Sequence, residues 1–320
     1  MPKLSVRGVA ALALASCAVL MAGCTPTEGP DDELTVLTTF TVLQDIAQTV
    51  AGDHLRVESL TKPGTEIHGY EPTPGDLRRA AGADLILDNG LGLEAWFARF
   101  VEDLGVPHVV VTDGIETLPI AEDAYAGLDN PHAWMSPLNV QHYADNIAAA
   151  LADLDPARAD AYRANAASYK AQLQQVHDEL LADLAPVPAE QRVLVTCEGA
   201  FSYLARDAGL EEHYIWPVNA EQQATPQQIA RTIGTVRARA VRAVFCESTV
   251  SDAPMRRVVE ATSAEFGGVL YVDSLSEPGG AVPTYLDLIR HAAQTIAAGL
   301  RGDARGGDTQ GGDTQGGDGR

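Results

Sequence analysis

Two histidines and two carboxylates have types and positions that suit a single metal site. Separated by 64, 66 and 75 residues, they are His68, His132, Glu198 and Asp273. Each of the four lies after a predicted strand. In α/β proteins, ligands bind near the carboxyl ends of parallel strands. Two lobes that face each other would each contribute two of these residues to one cleft. From the residues alone, the alternative of four unrelated polar loop residues stays open.

The donor types favour some metals over others. Two imidazoles with two carboxylates make a mixed nitrogen and oxygen set. One bidentate carboxylate would give five donor atoms, which suits manganese or iron(II) better than zinc with its tetrahedral preference. Copper(I) is not expected, because no thiolate belongs to the set.

Proline and glycine shape the loops that would present these side chains. Residues 61–76 hold three prolines and three glycines, which excludes a helix interior or a central strand around His68. His132 lies between Pro131 and a helix start at Ser136 and Pro137, a typical cap followed by a first-turn proline. The sequence therefore predicts that His68 and His132 lie in conformationally restricted loops.

Strand and helix patterns alternate along the chain. They predict an α/β fold in which two lobes, each with a parallel four-stranded sheet flanked by helices, are joined by one long rigid helix. The predicted N-terminal lobe spans 34–155, the interlobe helix 156–184 and the C-terminal lobe 190–300. An apolar stripe marks the interlobe helix, whose predicted length is roughly 43 Å at 1.5 Å per residue.

Individual elements follow from periodicity and turn residues. Strands are predicted at 34–39, 55–60, 84–87, 109–111, 193–196, 211–215, 243–246 and 269–272. Other helices are predicted at 42–51, from 74 onwards, and at 93–104, 200–207, 226–239, 252–266 and 283–300.

Both ends of the chain read as segments outside the lobes. Residues 1–23 have the layout of an export signal, and the run ending at Cys24 resembles the lipobox of bacterial lipoproteins, with Cys17 as a second fit. Residues 24–33 read as a polar tether, and the repetitive 301–320 as a disordered tail. We therefore expect a lipid-anchored protein on the extracytoplasmic face of the plasma membrane or in the periplasm.

Charge and cysteine content give further expectations about the ligand and about a disulfide. The net charge of -22 becomes more negative when the signal is removed, which argues against nucleic acid and is compatible with a cation as ligand. Outside the signal region, Cys197 and Cys246 are an even pair in an oxidising compartment, where a disulfide is expected. Both end apolar runs, so they would lie on neighbouring parallel strands.

Several longer motifs resemble one known family. They are E-I-H-G-Y-E-P-T-P, N-P-H-A-W-M-S-P, T-C-E-G-A-F-S-Y-L-A-R-D-A-G-L, E-S-T-V-S-D, Y-V-D-S-L and P-T-Y-L-D-L. In this order they resemble the metal-binding lipoproteins of manganese, zinc and iron ABC importers, called cluster A-I, over 34–300. The resemblance is especially close to the cyanobacterial manganese-binding type.

The resemblance implies function and partners. It implies metal ligation by His68, His132, Glu198 and Asp273, and a monomer without enzymatic activity that delivers metal to an ABC permease with a cytoplasmic ATPase. Cysteines at the positions of Cys197 and Cys246 can pair in the cyanobacterial type.

Differences from zinc-binding members bear on the metal. Zinc members commonly carry histidine where this chain has Glu198, and a histidine-rich loop where 113–130 has none. These differences favour Mn²⁺, with Fe²⁺ and Zn²⁺ as alternatives. Gly69 replaces the glutamate that usually follows the first ligand, which puts support of the His68 ring in question.

Neighbouring residues and rival functions complete the expectations. Trp134 is expected to pack in the core, and Glu66 and Glu71 to lie on a solvated loop face. An orienting role for Glu247 is left open as an alternative. A metal-dependent hydrolase using the same four residues, and an adhesin, are the rival functions.

Overall fold

The computed structural model describes residues 34–97, 104–218 and 224–303. The predicted signal peptide, Cys17, Cys24, the tether and residues 304–320 of the predicted tail lie outside the described residues. Among those described, no helix is both long enough and apolar enough to cross a bilayer.

The N-terminal lobe is built on one parallel sheet of four strands. In the order β2, β1, β3, β4 across the sheet, all neighbours are parallel, as predicted. The strands are β1 Thr35–Thr38, β2 Arg56–Ser59, β3 Leu85–Asp88 and β4 His108–Val110. The loop with His68 follows β2, and because all four strands are parallel it begins at the same edge of the sheet as the carboxyl ends of β1, β3 and β4.

Two short helices flank this sheet. Helix α1 is Thr41–Ala51, and α2 is Pro74–Ala81. Thr73 caps α2 by accepting a hydrogen bond from the backbone N–H of Asp76, so the predicted cap is confirmed. Of the helix predicted at 93–104, residues 95–97 and 104 are helical, and 98–103 lie outside the described residues.

Two long helices pack side by side between the lobes. Helix α3 is Pro137–Leu154 and starts at the predicted Ser136 cap, and α4 is Ala159–Leu184. The interlobe helix starts three residues later than predicted, because 156–158 form a 3₁₀ turn. Its 26 residues span roughly 39 Å.

One apolar core extends through both lobes. It runs from Val36 in β1 to Leu300 near the end of the chain, and the buried face of α4, including Tyr162, Tyr169 and Leu173, belongs to it. The predicted apolar stripe is therefore confirmed, and it packs against both lobes at once. Separating the lobes by a wide angle would expose this core to water, which disfavours a large hinge motion.

The C-terminal lobe contains four parallel-paired strands. They are β5 Val193–Glu198, β6 Glu211–Trp216, β7 Ala243–Glu247 and β8 Glu265–Leu270. Its helices are α5 Ser202–Ala208, α6 Pro226–Ala238, α7 Ala253–Ala261 and α8 Tyr285–Arg301. The last helix ends at Arg301, one residue beyond its predicted end.

The backbone pairing of this lobe differs from the single four-stranded sheet that was expected. Hydrogen bonds join β5 to β6 and β7 to β8 as two separate parallel pairs. Strands β5 and β7 lie side by side, linked by the predicted Cys197–Cys246 disulfide with Cα atoms 4.8 Å apart. At this seam the backbone N–H of Glu198 donates to a side chain, Glu247 Oε2, at 3.2 Å.

The predicted boundaries are wrong around β8. The helix predicted at 252–266 ends at Ala261, and the strand predicted at 269–272 occupies 265–270. Gly267 and Gly268, which the prediction left between that helix and that strand, lie inside the strand. A Cβ at Gly267 would sit 2.5 Å from the Phe245 ring, so the close approach of β7 requires glycine there.

Candidate metal centre

The four predicted side chains converge in the cleft between the lobes. His68 Nε2 and His132 Nε2 are 3.0 Å apart. Glu198 Oε1 lies 3.7 Å from the first and 3.9 Å from the second. Asp273 Oδ1 is 4.0 Å from His132 Nε2. Loops separated by more than 200 residues in the sequence thus place two nitrogens and two carboxylates around one point.

Burial sets the protonation state of the imidazoles. The His68 side chain is 6% exposed and that of His132 is fully buried. Burial lowers the pKa of His68 to about 4, and burial followed by the neighbouring His68 ring lowers the pKa of His132 well below its usual value. Both rings are therefore neutral at pH 7, the form in which histidine binds metals.

Asp273 brings a buried carboxylate to the same point. It follows β8 by three residues, and its Oδ2 accepts a hydrogen bond from Thr249 Oγ1 at 3.1 Å. Its Oδ1, which faces His132, accepts no hydrogen bond from the described residues. Burial, and then the charge of Glu66, raise the pKa of Asp273.

Glu66 supports the loop that carries His68. Its two carboxylate oxygens accept the backbone N–H groups of His68 and Gly69 at 2.8 and 3.0 Å. The prediction of a solvated loop face is wrong for Glu66, whose carboxylate also lies within 4.8 Å of the donor atoms of His68 and Asp273. Glu71 is exposed, as predicted. Glu66 therefore supports this loop although Gly69 stands where the family usually has a glutamate.

Asn130 orients His132, and sequence reasoning missed it. Asn130 Oδ1 lies 2.8 Å from His132 Nδ1 and accepts the backbone N–H of His132 at 3.0 Å. A side chain that bonds to the far nitrogen of a ligand histidine fixes which nitrogen carries the proton. Asn130 opens the motif N-P-H-A-W-M-S-P, but the motif did not indicate which atoms its side chain contacts.

Glu198 and Glu247 are the last residues of the neighbouring strands β5 and β7. The prediction placed Glu198 in the loop after the strand, whereas it ends the strand itself. Glu247 Oε2 accepts the backbone N–H of Glu198, a contact that supports the orienting role left open by the sequence. Burial raises the pKa of Glu247 well above its usual value.

Trp134 belongs to the core beneath the site, as expected. It is fully buried, and its indole Nε1–H donates to Val272 O at 3.0 Å, one residue before Asp273. Its ring packs edge-on against Phe40 at a centroid distance of 4.9 Å. Trp134 thus connects the loop of His132 to the segment that carries Asp273.

The spacing of the donor atoms fits one cation of the first transition series. Ligands at about 2.1 Å from an ion can be at most about 4.2 Å from each other. All four measured separations, from 3.0 to 4.0 Å, are below this limit. An ion at this point would supply the positive charge that Asp273 Oδ1 lacks.

Comparison with known proteins gives a consistent family. Residues 36–299 match the family model described as "ZnuA: Zinc-uptake complex component A periplasmic". The iron-binding protein YfeA of Yersinia pestis is 54% identical over 265 residues, 82% of this chain and 85% of that protein. The manganese-binding lipoprotein MntA of Halalkalibacterium halodurans is 35% identical over 88% of this chain and 95% of that protein.

A solved structure shares the fold. The Mn-bound periplasmic metal binding protein of Candidatus Liberibacter asiaticus is 39% identical, with a TM-score of 0.79, and the match covers 84% of this chain and 100% of that one. Sequence, fold and the convergence of the four side chains agree. The chain belongs to the family of metal-binding substrate-binding proteins of ABC importers, which act on the extracytoplasmic side of the membrane.

Proposed function

We propose that this protein captures a divalent metal ion, Mn²⁺ in the first place, through His68, His132, Glu198 and Asp273. The ion is cargo to be delivered and not a resident cofactor. The observation that carries the proposal is the buried Asp273 Oδ1, which lies 4.0 Å from His132 Nε2 and accepts no hydrogen bond within the described part of the chain. A cation among the four groups satisfies that oxygen.

The donor set supports manganese or iron(II) ahead of zinc. Two neutral imidazoles and two carboxylates give four or more donor atoms, and a bidentate carboxylate raises the number beyond the four that zinc prefers. The names of the relatives include iron and manganese. We therefore place Fe²⁺ second and Zn²⁺ third as the physiological cargo.

The proposal includes partners and attachment. The protein, lipidated at Cys24 and monomeric, hands its metal to a membrane permease driven by a cytoplasmic ATPase. Its two lobes, 34–155 and 190–300, move little relative to one another, because α4 packs in a core shared by both. Release then depends on rearrangement of the loops around Asp273.

We propose a carrier and not an enzyme. The donor groups of the site have side-chain exposures of 6% or less, so a substrate larger than an ion has no open face to approach. A hydrolase needs a coordination position that stays open to substrate and water. A protein that binds metal tightly and turns over no ester or phosphate substrate agrees with the carrier.

Metal competition and cellular uptake together test the proposal. Metal-free mature protein is equilibrated with equal Mn²⁺, Fe²⁺ and Zn²⁺ under anaerobic conditions, and the bound metals are measured by elemental analysis. His68→Ala is expected to lose binding, whereas the exposed His142→Ala is the matched control and should bind like wild type.

Uptake of labelled Mn²⁺ in a strain lacking the protein should be restored by the wild type and not by His68→Ala. Uptake of zinc alone would contradict the manganese assignment. Absence of metal binding by the wild type would contradict the whole proposal.

A further inference from the structure

We propose that Asn130 is a positioning residue that sets two ligands from different lobes at once, His132 and Glu198. The inference rests on the proposed function, because it concerns how the same site is held ready for its ion. Asn130 is almost fully buried, with 3% of its surface exposed. Its side chain lies between the His132 loop and the turn that follows β5.

On one side, the amide oxygen of Asn130 faces His132. The backbone N–H of His132 is a donor only, and Asn130 Oδ1 accepts it at 3.0 Å. That contact fixes which end of the amide is oxygen. The ring atom 2.8 Å from the same oxygen, Nδ1, must therefore carry its proton, which leaves the lone pair on Nε2 pointing at the site.

On the other side, the amide nitrogen of Asn130 holds the residues after Glu198. Asn130 Nδ2 donates to Gly199 O at 2.7 Å and to Ser202 Oγ at 3.2 Å. A backbone carbonyl is an acceptor only, so this contact requires N–H at the same end of the amide. Gly199 is the next residue after Glu198, so its position sets where the strand end places the carboxylate.

The two sides together require an amide and not a carboxylate. An aspartate at 130 would still accept from His132, but it would turn a second oxygen toward Gly199 O instead of a donor. The backbone oxygen of Asn130 also accepts a hydrogen bond from Tyr203 Oη at 2.7 Å, so the residue itself is held from the C-terminal lobe. Asn130 is thereby a shared support for one histidine and one carboxylate.

Three variants separate these contributions. Asn130→Ala removes both contacts, and Asn130→Asp keeps the acceptor and removes the donor. Ser202→Ala removes the longer of the two donor contacts, together with the hydrogen bond from Ser202 Oγ to Glu212 Oε2. Each is measured for Mn²⁺ affinity by chelator competition. In the metal-free state, ¹⁵N NMR reports the His132 tautomer, and amide hydrogen exchange reports the protection of 198–202.

The expected results differ between variants. Asn130→Ala should lose about 10- to 100-fold in affinity, as is typical when a partner of a ligand histidine is removed, and should show a mixture of His132 tautomers. Asn130→Asp should keep the Nδ1–H tautomer but lose protection at 198–202 and a smaller part of the affinity. Ser202→Ala should stay within about threefold of wild type in affinity, since the 2.7 Å bond to Gly199 remains.

Two outcomes overturn the inference. The first is an unchanged His132 tautomer with affinity within twofold in Asn130→Ala. The second is wild-type exchange at 198–202 in Asn130→Asp, which refutes the coupling even if Asn130→Ala does not fold. Failure of the wild type to bind any of the three metals would instead refute the proposed function, while both NMR and exchange readouts in the metal-free protein would still decide on Asn130.

Discussion

The Cys197–Cys246 disulfide is predicted to contribute about 4 kcal/mol to the stability of the metal-free protein. The two cysteines are 49 residues apart in sequence, and both are fully buried. Closing a loop of about 50 residues removes roughly 14 cal/mol/K of entropy from the unfolded chain, which is about 4 kcal/mol at 25 °C. In a protein of this size, about 4 kcal/mol corresponds to a fall of roughly 8 to 16 °C in Tm.

Two perturbations distinguish the cross-link from packing. Reduction of the wild type breaks the bond and leaves both sulfur atoms in the core, whereas the double variant Cys197→Ala/Cys246→Ala also removes their volume. Both are measured by urea unfolding in chelator, with alkylation and mass spectrometry to confirm the thiol state. We expect most of the roughly 4 kcal/mol to be lost from the free energy of unfolding in both samples. The double variant should lose about 1 kcal/mol more, because removing the two sulfur atoms leaves small cavities.

Metal binding provides a second readout for the same samples. The disulfide joins β5 and β7 one residue before Glu198 and Glu247, whose contact spans the seam. Breaking it should lower Mn²⁺ affinity by loosening the position of Glu198. Reduced wild type that unfolds within 1 kcal/mol of the oxidised protein would refute the entropic argument. A large loss in the alanine variant alone would assign the effect to packing.

Three further predictions concern single carboxylates. Burial, opposed by the Tyr285 backbone contact and assisted by Asp287, raises the pKa of Asp45 from 3.8 to about 6, so this group costs stability as pH rises from 4 to 6. Asp45→Asn should therefore gain stability over wild type between pH 4.5 and 7, by about 3 kcal/mol at most, in urea titrations; a gain that does not change with pH contradicts the shift. In thermal unfolding, Asp273→Asn should be more stable than wild type in chelator, and Mn²⁺ should no longer stabilise it. If the variant is less stable than wild type in chelator, burial of this carboxylate carries no cost. Glu198→His should lower the ratio of Mn²⁺ to Zn²⁺ affinity by about tenfold or more in competition assays, and an unchanged ratio would remove Glu198 from the selectivity argument.

Sequence patterns were sufficient for most elements, and they selected four side chains that the structure brings close together. Strands β1 to β7 begin and end within one or two residues of their predicted positions, because alternation with helices and capping residues such as Ser136 are local signals. The proposed ligands were selected by residue type at predicted strand ends. The failure at β8 has a tertiary cause, since Gly267 is required by the Phe245 ring of a neighbouring strand and not by a turn of its own.

Support of the ligands was harder to predict than the ligands themselves. Glu66 and Asn130 each lie two residues before a proposed ligand histidine and open a motif of the family resemblance, yet their residue types alone did not indicate a supporting role. Their roles depend on contacts with backbone atoms, and for Asn130 on Gly199 O from the other lobe. Pairing of β5 with β7 through a disulfide instead of a hydrogen-bond ladder likewise depends on how the lobe packs.

The burial that prepares the site for metal also makes the metal-free protein carry an electrostatic cost. Asp273 has a raised pKa, with burial as the largest cause and Glu66 next, while the His68 and His132 rings beside it are held neutral and supply no counter-charge. A divalent ion offsets these costs in one step, because it needs no proton to leave either ring and it pairs the buried carboxylate. We therefore expect part of the binding free energy to come from relief of this repulsion, and displacement of Asp273 by loop movement to weaken binding.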